Sequence, residues 1–596
     1  MNAKHSFHIP VMGVAFTADT PLKVAKYGID SVIALADDFL LERLRKMYSS
    51  EYNLEYTEIK KDTKDYRANR ITSYLNLINK LSKKKLDELT SATEDKIDEL
   101  KNYFSMLPDG EQLKKEFLKK VNKTFNIEEI SSWLKENLSL GSIDVNIMTK
   151  VDKENYYKNE KLPSQYNDAH AALRGYANSD LASSVVFSAG MNPRLYSYIS
   201  QFNDFFPSTN GYIKKKIVLK VSDYRSAIIQ GKFLAKKGLW VSEYRIESGL
   251  NCGGHAFATE GMLLGPILDE FKNKKAALID ETFSLLINGL KANSKIIPSK
   301  KLPIKITVQG GVGNNEEHKL LLDHYNVDSV GWGTPFLLVP EATTVDEATL
   351  KQLIEAKEKD LYLSNISPLG VPFNNLRNSS KDVEKMQKVN LGKPGSSCPK
   401  RFLAFSNEYS DRGVCTASRL YQKNKLKEIP ENDIDAVNNI IDKACICVGL
   451  TASANVKYNL GTKDGSAISI CPGPNMAYFS KVEKFADMIS HVYGKIPNIS
   501  RIDRPHFFIK ELKLYIDYLS NKIDEAKNDW NKKNEKYFSK FISNLNDGIV
   551  YYEELFSELN NNSKDKMASI FQLLKKERNK LRQIEILNDK NILSVV

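Results

Sequence analysis

The stretch Ile304-Lys-Ile-Thr-Val-Gln-Gly-Gly-Val-Gly313 decides the fold class, because an apolar strand runs directly into a glycine turn there. A second unit of this kind follows, Asp328-Ser-Val-Gly-Trp-Gly-Thr-Pro-Phe-Leu337. Glycine leaves backbone N–H groups uncovered at the end of a strand, where no Cβ blocks the approach of a phosphate. Two consecutive units are typical of the phosphate cup that follows the seventh and eighth strands of a (β/α)8 barrel.

Eight strand-like apolar runs occur in the chain, and most are continuous rather than alternating. Continuous runs are typical of parallel strands that are covered on both faces. Segments of helical length separate most of them, such as Pro21–Gly28 and Tyr224–Gly238. We therefore predict an α/β fold, a (β/α)8 TIM barrel. The predicted strands are Ile9–Phe16, Asp30–Leu35, Ile143–Met148, Ser183–Ser188, Lys216–Ser222, Leu239–Ile246, Ile304–Gln309 and Ser329–Gly333.

The 596 residues exceed what one hydrophobic core usually supports, so further regions are expected around the barrel. A Lys/Glu-rich segment with helical spacing predicts a helical insertion between the second and third strands. A Pro/Gly/Ser/Asn-rich, cysteine-bearing region and a mainly helical C-terminal region follow the barrel, and an apolar stripe in the latter fits a packing face or a homodimer face. The predicted limits are 1–45 and 141–345 for the barrel, 46–140 for the insertion, 346–475 for the cysteine-bearing region and 476–596 for the helical end.

Composition places the chain among ordinary folded proteins, with 42% hydrophobic and 27% charged residues. No apolar run approaches the roughly 20 residues that span a bilayer, and no signal peptide begins the sequence. We therefore expect a cytoplasmic protein without a membrane partner. The net charge of +12 is not accompanied by a nucleic-acid-binding module, which favours a solvated lysine-rich surface over nucleic-acid binding.

A third glycine motif, Ser248-Gly-Leu-Asn-Cys-Gly-Gly-His255, follows the sixth predicted strand and ends on a histidine. A histidine at the carboxyl end of a barrel strand is within reach of a bound ligand, so we predict that His255 transfers protons. The alternative is a buried, hydrogen-bonding histidine. Lys220, near the end of the fifth strand, is predicted to supply a cation at the same face, and its alternative is an ion pair with an acidic residue.

In this order, the motifs resemble the nitronate monooxygenase (2-nitropropane dioxygenase) family of FMN-dependent barrels, which also contains flavin-type enoyl-acyl-carrier-protein reductases. The resemblance runs from Ile9 to Met12 and then from Asp144 to Leu338. The segments that carry it are Pro10-Val-Met-Gly13, Asp144-Val-Asn146, Val218-Leu-Lys-Val-Ser222, Cys252-Gly-Gly-His255, Gln309-Gly-Gly-Val312 and Gly331-Trp-Gly-Thr334.

The resemblance implies an FMN-dependent oxidoreductase that acts on a small activated substrate, either a nitronate or a conjugated C=C bond. NAD(P)H or a redox protein is the implied electron donor, and His255 faces the substrate. The residues implied in FMN binding are Met12, Gly13, Asn146, Lys220, Gly253, Gly254, Gly310, Gly311, Gly331, Gly333 and Thr334.

Five of the six cysteines fall within residues 398–471, and two of them precede proline. Turns of this kind free N–H groups toward sulfur, as iron–sulfur and zinc sites require. We predict a metal site here, with an iron–sulfur cluster slightly ahead of zinc, and buried thiols are the alternative. A cluster near the flavin would indicate an enoyl-reductase-like enzyme. The candidate ligands are Cys398, Cys415, Cys445, Cys447 and Cys471.

Two further hypotheses compete with a flavoenzyme. One is a non-catalytic, metal-stabilised scaffold or RNA-associated protein, for which the basic charge and the cysteines are the support. The other is a phosphate-binding barrel of the inosine-monophosphate dehydrogenase type, which places a nucleophilic cysteine in a mobile loop. Cys252 is the one cysteine of the predicted barrel, but it lies on a short turn, which disfavours this second hypothesis.

Overall fold

A computed structural model describes residues 5–91, 97–108, 111–123, 127–157, 159–188, 190–430, 432–527, 530–559 and 564–593. Eight parallel strands close into a barrel in the order β1-β10-β9-β8-β7-β6-β3-β2, and two hairpins lie outside it. This order confirms the predicted (β/α)8 barrel. The strands are β1 Phe7–Ile9, β2 Asp30–Ala34, β3 Ile143–Met148, β4 Tyr156–Tyr157, β5 Glu160–Lys161, β6 Ser184–Ser188, β7 Lys216–Val221, β8 Val241–Glu247, β9 Lys305–Gln309, β10 Ser329–Gly331, β11 Leu361–Ser364 and β12 Phe373–Leu376.

The first barrel strand differs from its prediction. The apolar run Ile9–Phe16 is not a strand, because β1 ends at Ile9. Pro10 has no N–H to donate to a neighbouring strand, and Gly13 turns the chain with a φ of +54°. Residues 10–16 therefore form a loop at the carboxyl end of β1, where the chain enters the mouth of the barrel.

The helical insertion is present between β2 and β3, and the part after the barrel is mainly helical, as predicted. The domain limits themselves stay a prediction. The helices are α1 Thr20–Val24, α2 Asp38–Glu51, α3 Tyr66–Thr90, α4 Ile97–Met106, α5 Gln112–Lys123, α6 Ile127–Asn137, α7 Asp168–Ala177, α8 Pro193–Ile199, α9 Tyr224–Ala235, α10 Leu264–Ala292, α11 Asn315–Asp323, α12 Glu347–Glu355, α13 Ser380–Asn390, α14 Arg419–Glu428, α15 Ile434–Ile441, α16 Ile446–Lys457, α17 Phe485–Val492, α18 Phe507–Ala526, α19 Lys532–Glu558 and α20 Lys564–Leu593.

Two apolar clusters hold the barrel to the chain that follows it. The larger one joins the barrel to α18 and α19, and it includes the whole predicted apolar stripe of α18: Ile509, Leu512, Ile516, Leu519 and Ile523. The stripe is therefore buried within the chain. The smaller cluster joins the barrel mouth, through Phe16 and Leu337, to Phe373, Cys415 and Leu450. Burial of about 25 cal/mol per Å² of apolar surface makes such contacts the main stabilising contribution.

No helix in the described ranges has the length and apolar character that crossing a membrane requires.

Candidate active site

A cavity of about 380 Å³ opens at the carboxyl ends of the barrel strands. This size lies within the range of roughly 300–1,000 Å³ that is usual for small-molecule sites. His255 and every residue implied in FMN binding line it: Met12, Gly13, Asn146, Lys220, Gly253, Gly254, Gly310, Gly311, Gly331, Gly333 and Thr334. Residues from six strand ends thus meet at one face of the barrel, which is where barrel enzymes place their sites.

The glycine turn after β9 has no room for a side chain. Gly311 has a φ of +83°, and a Cβ there would lie 2.1 Å from Nδ2 of Asn251. Gly310 has a φ of +141°, and its Cβ would meet that of Ser248 at 2.7 Å. The guanidinium of Arg504 donates to the carbonyl of Gly311 (2.6 Å) and so ties the turn to the segment before α18. The turn therefore requires glycine and is held from outside the barrel.

A glycine also follows β10, at the other side of the same cavity. A Cβ on Gly333 would lie 3.5 Å from the sulfur of Met12. Thr334, the next residue, is approached closely by Gly473, whose Cβ would come within 2.4 Å of the Thr334 hydroxyl. Close backbone approach of this kind leaves N–H groups and a hydroxyl at the cavity wall, which are donors that suit a phosphate.

A chain of polar side chains crosses β7, β8 and β9 at the cavity. Lys220 forms an ion pair with Glu247 (2.8 Å), and Gln309 Nε2 donates to the same carboxylate (2.6 Å). Lys220 thus lines the cavity and also has the acidic partner that the alternative interpretation expected. Oε1 of Gln309 is buried, and the described residues offer it no donor. A buried acceptor without a partner is costly, which makes it a contact for an N–H group of a ligand.

Asn146 is fixed at the end of β3 by its side-chain amide. Its Nδ2 donates to the carbonyl of Val186 (3.2 Å) and to the hydroxyl of Ser188 (3.3 Å), both on β6. Asn146 is buried but lines the cavity. The two bonds leave its Oδ1 oriented away from β6, so the amide orientation is determined by the barrel itself.

His255 is held in position by residues of the segment that follows the barrel. Its Nε2 lies 2.7 Å from the hydroxyl of Ser367, which is fully buried, and its ring meets that of Phe373 edge-on at 5.0 Å. The backbone around it pairs with the same segment, since Ala256 N–H donates to the carbonyl of Pro372 (2.9 Å). Burial, with the charges of Lys220 and Lys150, lowers the pKa of His255 to about 4. The imidazole is therefore neutral at physiological pH.

Several cavity residues have no counterpart in the sequence prediction. Ser367, Phe373, Leu450 and Gly473 are contributed by chain after the barrel, and all but Ser367 line the cavity directly. Ser367 is separated from His255 by 112 positions. Nothing in the local sequence around a single serine indicates such a partner. Lys150, just after β3, is a further cavity cation that the motifs did not indicate, and its ammonium lies 5.4 Å from the ring centre of Phe257.

The described part of the chain, which contains all five candidate ligands, gives no support to the predicted iron–sulfur or zinc site. No three His, Cys, Asp or Glu side chains there are arranged to hold a metal ion. Cys471 lines the cavity, whereas Cys398, Cys415, Cys445 and Cys447 do not. Burial raises the pKa of Cys445 and Cys447, which favours neutral thiols over the thiolates that metals bind.

No protein-family profile and no curated protein matches the sequence. Solved structures that are similar include FabK from Thermotoga maritima, at 13% identity and a TM-score of 0.32, covering 66% of this chain and 83% of that chain. The enoyl reductase domain of MlnA from the macrolactin biosynthesis cluster of Bacillus amyloliquefaciens has 14% identity and a TM-score of 0.31, with 67% and 88% covered. Nitroalkane oxidase from Streptomyces ansochromogenes has 10% identity and a TM-score of 0.34, with 82% and 94% covered.

These three likenesses have identities of 10–14% and TM-scores of 0.31–0.34. At such low identities and TM-scores they add nothing about the chemistry. The function proposed below therefore rests on the residues of this chain.

Proposed function

We propose that the chain is an FMN-dependent oxidoreductase, similar to nitronate monooxygenases, in which His255 transfers a proton to or from a small activated substrate. The observation that carries the proposal is the meeting of a neutral, partly shielded histidine and two side-chain-free glycine turns in one cavity. A phosphate-binding cup and a proton-transfer group at the same barrel face are what such a reaction needs.

The cavity residues fit FMN as follows. Gly310, Gly311, Gly333 and Thr334 would hold the phosphate through N–H groups and a hydroxyl. A Cβ at Gly310 or Gly311 would clash with a neighbour, whereas at Gly333 it would make ordinary van der Waals contacts with Pro10 and Met12. The unpartnered Oε1 of Gln309 would accept from an N–H of the ring. Met12, Asn146 and Lys220 would contact the ring. Bound FMN supplies the acceptor or donor of electrons.

His255 is suited to accept a proton from a carbon acid. Ser367 fixes the ring through Nε2, and in the tautomer whose Nε2–H donates to Ser367 the lone pair of Nδ1 is free to accept a proton. The cation Lys150 at the cavity favours a substrate that is anionic or becomes so on losing the proton, whereas the charge of Lys220 is compensated by Glu247. A nitroalkane, whose conjugate base is a nitronate, meets this description.

A second candidate is reduction of a conjugated C=C bond with NAD(P)H or a redox protein as electron donor. The observation in its favour is a pair of protonated thiols at the cavity, since burial raises the pKa of Cys471 to about 12 and that of Cys252 well above its usual range. Reduction of C=C requires a proton for the second carbon. These thiols carry a proton at neutral pH, although their raised pKa makes them weak acids.

Turnover measurements with FMN-loaded protein distinguish the two. A small nitronate with oxygen is one substrate pair, and an enoyl thioester with NADPH, NADH or a reduced redox protein is the other. We expect turnover with one pair and at least a hundredfold loss in His255→Gln, about the lower bound for a lost acid–base group. If FMN-loaded protein turns over neither pair, or if His255→Gln keeps the wild-type rate, the proposal is wrong.

A further inference from the structure

Cys398 and Cys415 face each other outside the cavity. The two thiols lie within hydrogen-bonding reach, and the backbone N–H of Arg401 also points at the sulfur of Cys398. Cys398 is partly exposed, between the exposed residues Ser397 and Pro399. Cys415, in contrast, is 3% exposed and belongs to the smaller apolar cluster. One residue of the pair is thus partly exposed, whereas the other is buried.

The turn that carries Cys398 is fixed in an unusual conformation. Cys398 has a φ of +52° and Arg401 a φ of +58°, although neither residue is glycine. Each such residue costs about 1–2 kcal/mol, so the surrounding structure must hold the turn in place. The side chain of Lys400, within this turn, is buried and donates to Asp37 and to Thr451. The turn thus places Cys398, a partly exposed residue, next to Cys415.

We propose that Cys398 and Cys415 form a redox-active thiol pair that reduces small disulfides. The Cys398 thiolate attacks one sulfur of the small disulfide, a mixed disulfide forms at Cys398, and one small thiolate leaves. Cys415 then loses its proton and attacks the Cys398 sulfur, which releases the second small thiolate. Two protein thiols and one small disulfide thus become one protein disulfide and two small thiols, with two electrons transferred.

The surroundings of the six thiols support Cys398 as the attacking one. The hydrogen bond from Cys415, with the N–H and the charge of Arg401, lowers the pKa of Cys398. Burial raises the pKa of Cys445, Cys447 and Cys471. Reactive cysteines are typically accessible, of low pKa and close to a second cysteine. Among the described thiols this combination occurs at Cys398.

The test uses the full chain, reduced and treated with a chelator, and adds one equivalent of oxidised glutathione. Peptide mapping by mass spectrometry under non-reducing conditions then identifies the linked cysteines. In the wild-type protein we expect the loss of two of the six free thiols and a peptide that joins Cys398 to Cys415. In Cys415→Ser we expect glutathione to stay attached to Cys398, and in Cys398→Ser no rapid reaction. Cys445→Ser, which alters a neighbouring buried thiol, should react as the wild type does.

Three outcomes would overturn the proposal. They are a first reaction at a cysteine other than Cys398, a stable mixed disulfide at Cys398 in the wild type, and iron or zinc that elemental analysis finds bound by these thiols before the chelator is added. The cysteines that become linked in the wild-type protein are sufficient to support or reject the proposal, so the test does not depend on whether the variants fold. The outcome is also independent of FMN binding.

Discussion

The barrel and the chain after it build the same cavity by different means. The barrel contributes strand ends whose glycines line the cavity within a few residues of a recognisable strand, as at Gly310 and Gly311. The later chain contributes Ser367 and Phe373, which reach the cavity through contacts that span more than a hundred positions. Local sequence therefore encodes the proposed cofactor side, and tertiary packing sets the side where His255 lies.

The two regions also differ in how their polar groups are satisfied. On the barrel side, Gln309 Oε1 is buried without a partner in the described structure, and Gly310, Gly311 and Gly333 line the cavity. On the other side, His255 already has Ser367 as a partner and the backbone pairs closely. The barrel side therefore has a buried acceptor that a ligand can satisfy, whereas the later chain fixes the position of a reacting group. The predictions below separate these two roles.

The largest effect is expected at His255, where the two regions meet. His255→Gln should lower the turnover rate by about 10²–10⁴-fold, because an acid–base group is lost. FMN binding should be unchanged, since the proposed phosphate cup is intact. Steady-state kinetics and flavin titration measure the two properties. His324→Gln, which changes a histidine that does not line the cavity, is the control, and equal losses in both variants would contradict the role of His255.

Gly311→Ala tests the barrel side. The new Cβ would clash with Asn251 at 2.1 Å and would stand in a left-handed conformation, so we expect about 2–4 kcal/mol of destabilisation and loss of FMN binding. Gly370→Ala, in the later chain, has a φ of +69° but no atom within 4 Å of the new Cβ. It should cost only about 1 kcal/mol from the backbone and keep FMN. Urea unfolding measures the stability of the two variants, and flavin titration measures their FMN binding. Equal losses in both variants would contradict the difference proposed between the barrel side and the later chain.

Glu511 tests how α18 is joined to the barrel. Its buried carboxyl accepts from Ser248, next to the cavity, from the N–H of Leu264 and from Tyr552, yet burial raises its pKa to about 7. Above pH 4.5, the usual pKa of a glutamate carboxyl, Glu511 has lost its proton in the unfolded chain but still holds it in the folded chain. The stability that this group contributes is therefore complete below 4.5 and is lost as the pH rises through about 7, by about 3 kcal/mol.

Glu511→Gln should remove this part of the pH dependence. Urea unfolding of the wild type and the variant at about pH 5 and about pH 8 measures it, and the wild type should lose more stability between the two. Asp517→Asn, at an exposed position of the same helix, should behave as the wild type. A variant with the same pH slope as the wild type would mean that Glu511 does not titrate as described.

The smallest effect is expected at Ser367. Ser367→Ala removes one hydrogen bond to His255, worth about 1 kcal/mol, so turnover should fall by roughly five- to tenfold. Because the pKa of His255 is about 4, wild-type kcat/KM should stay level down to about pH 5 and decline only toward pH 4. Ser367→Ala should shift the pH at which kcat/KM declines on the acid side, and Ser367→Thr should restore the wild-type value. A fall in rate with no change in that pH would indicate a merely structural contribution.

Prediction from sequence succeeded where the determining residues are close together. Continuous apolar runs followed by glycine-containing turns predicted the strands β8, β9 and β10 to within two residues at each end, since burial on both faces leaves a clear pattern. The first strand was misplaced because Ile9–Phe16 is equally apolar, although Pro10 and the turn at Gly13 interrupt it.

The cysteines show the opposite limit. Their clustering between residues 398 and 471 suggested a metal site, but in the described chain no three His, Cys, Asp or Glu side chains are arranged to hold a metal ion, and Cys471 lines the cavity. Spacing along the chain does not specify which sulfurs meet when no local motif fixes them. Ser367 was missed for the same reason, because its partner is defined only by how the later chain folds back over the barrel.

The central claim is that the barrel mouth binds FMN, and the visible absorption spectrum of the protein tests it most directly. The full chain would be mixed with FMN, freed of excess by gel filtration, and measured before and after dithionite, with Gly311→Ala alongside. The proposal predicts the two visible flavin bands, close to one FMN per chain, bleaching on reduction, and their loss in the variant. A wild-type protein that emerges colourless would contradict it.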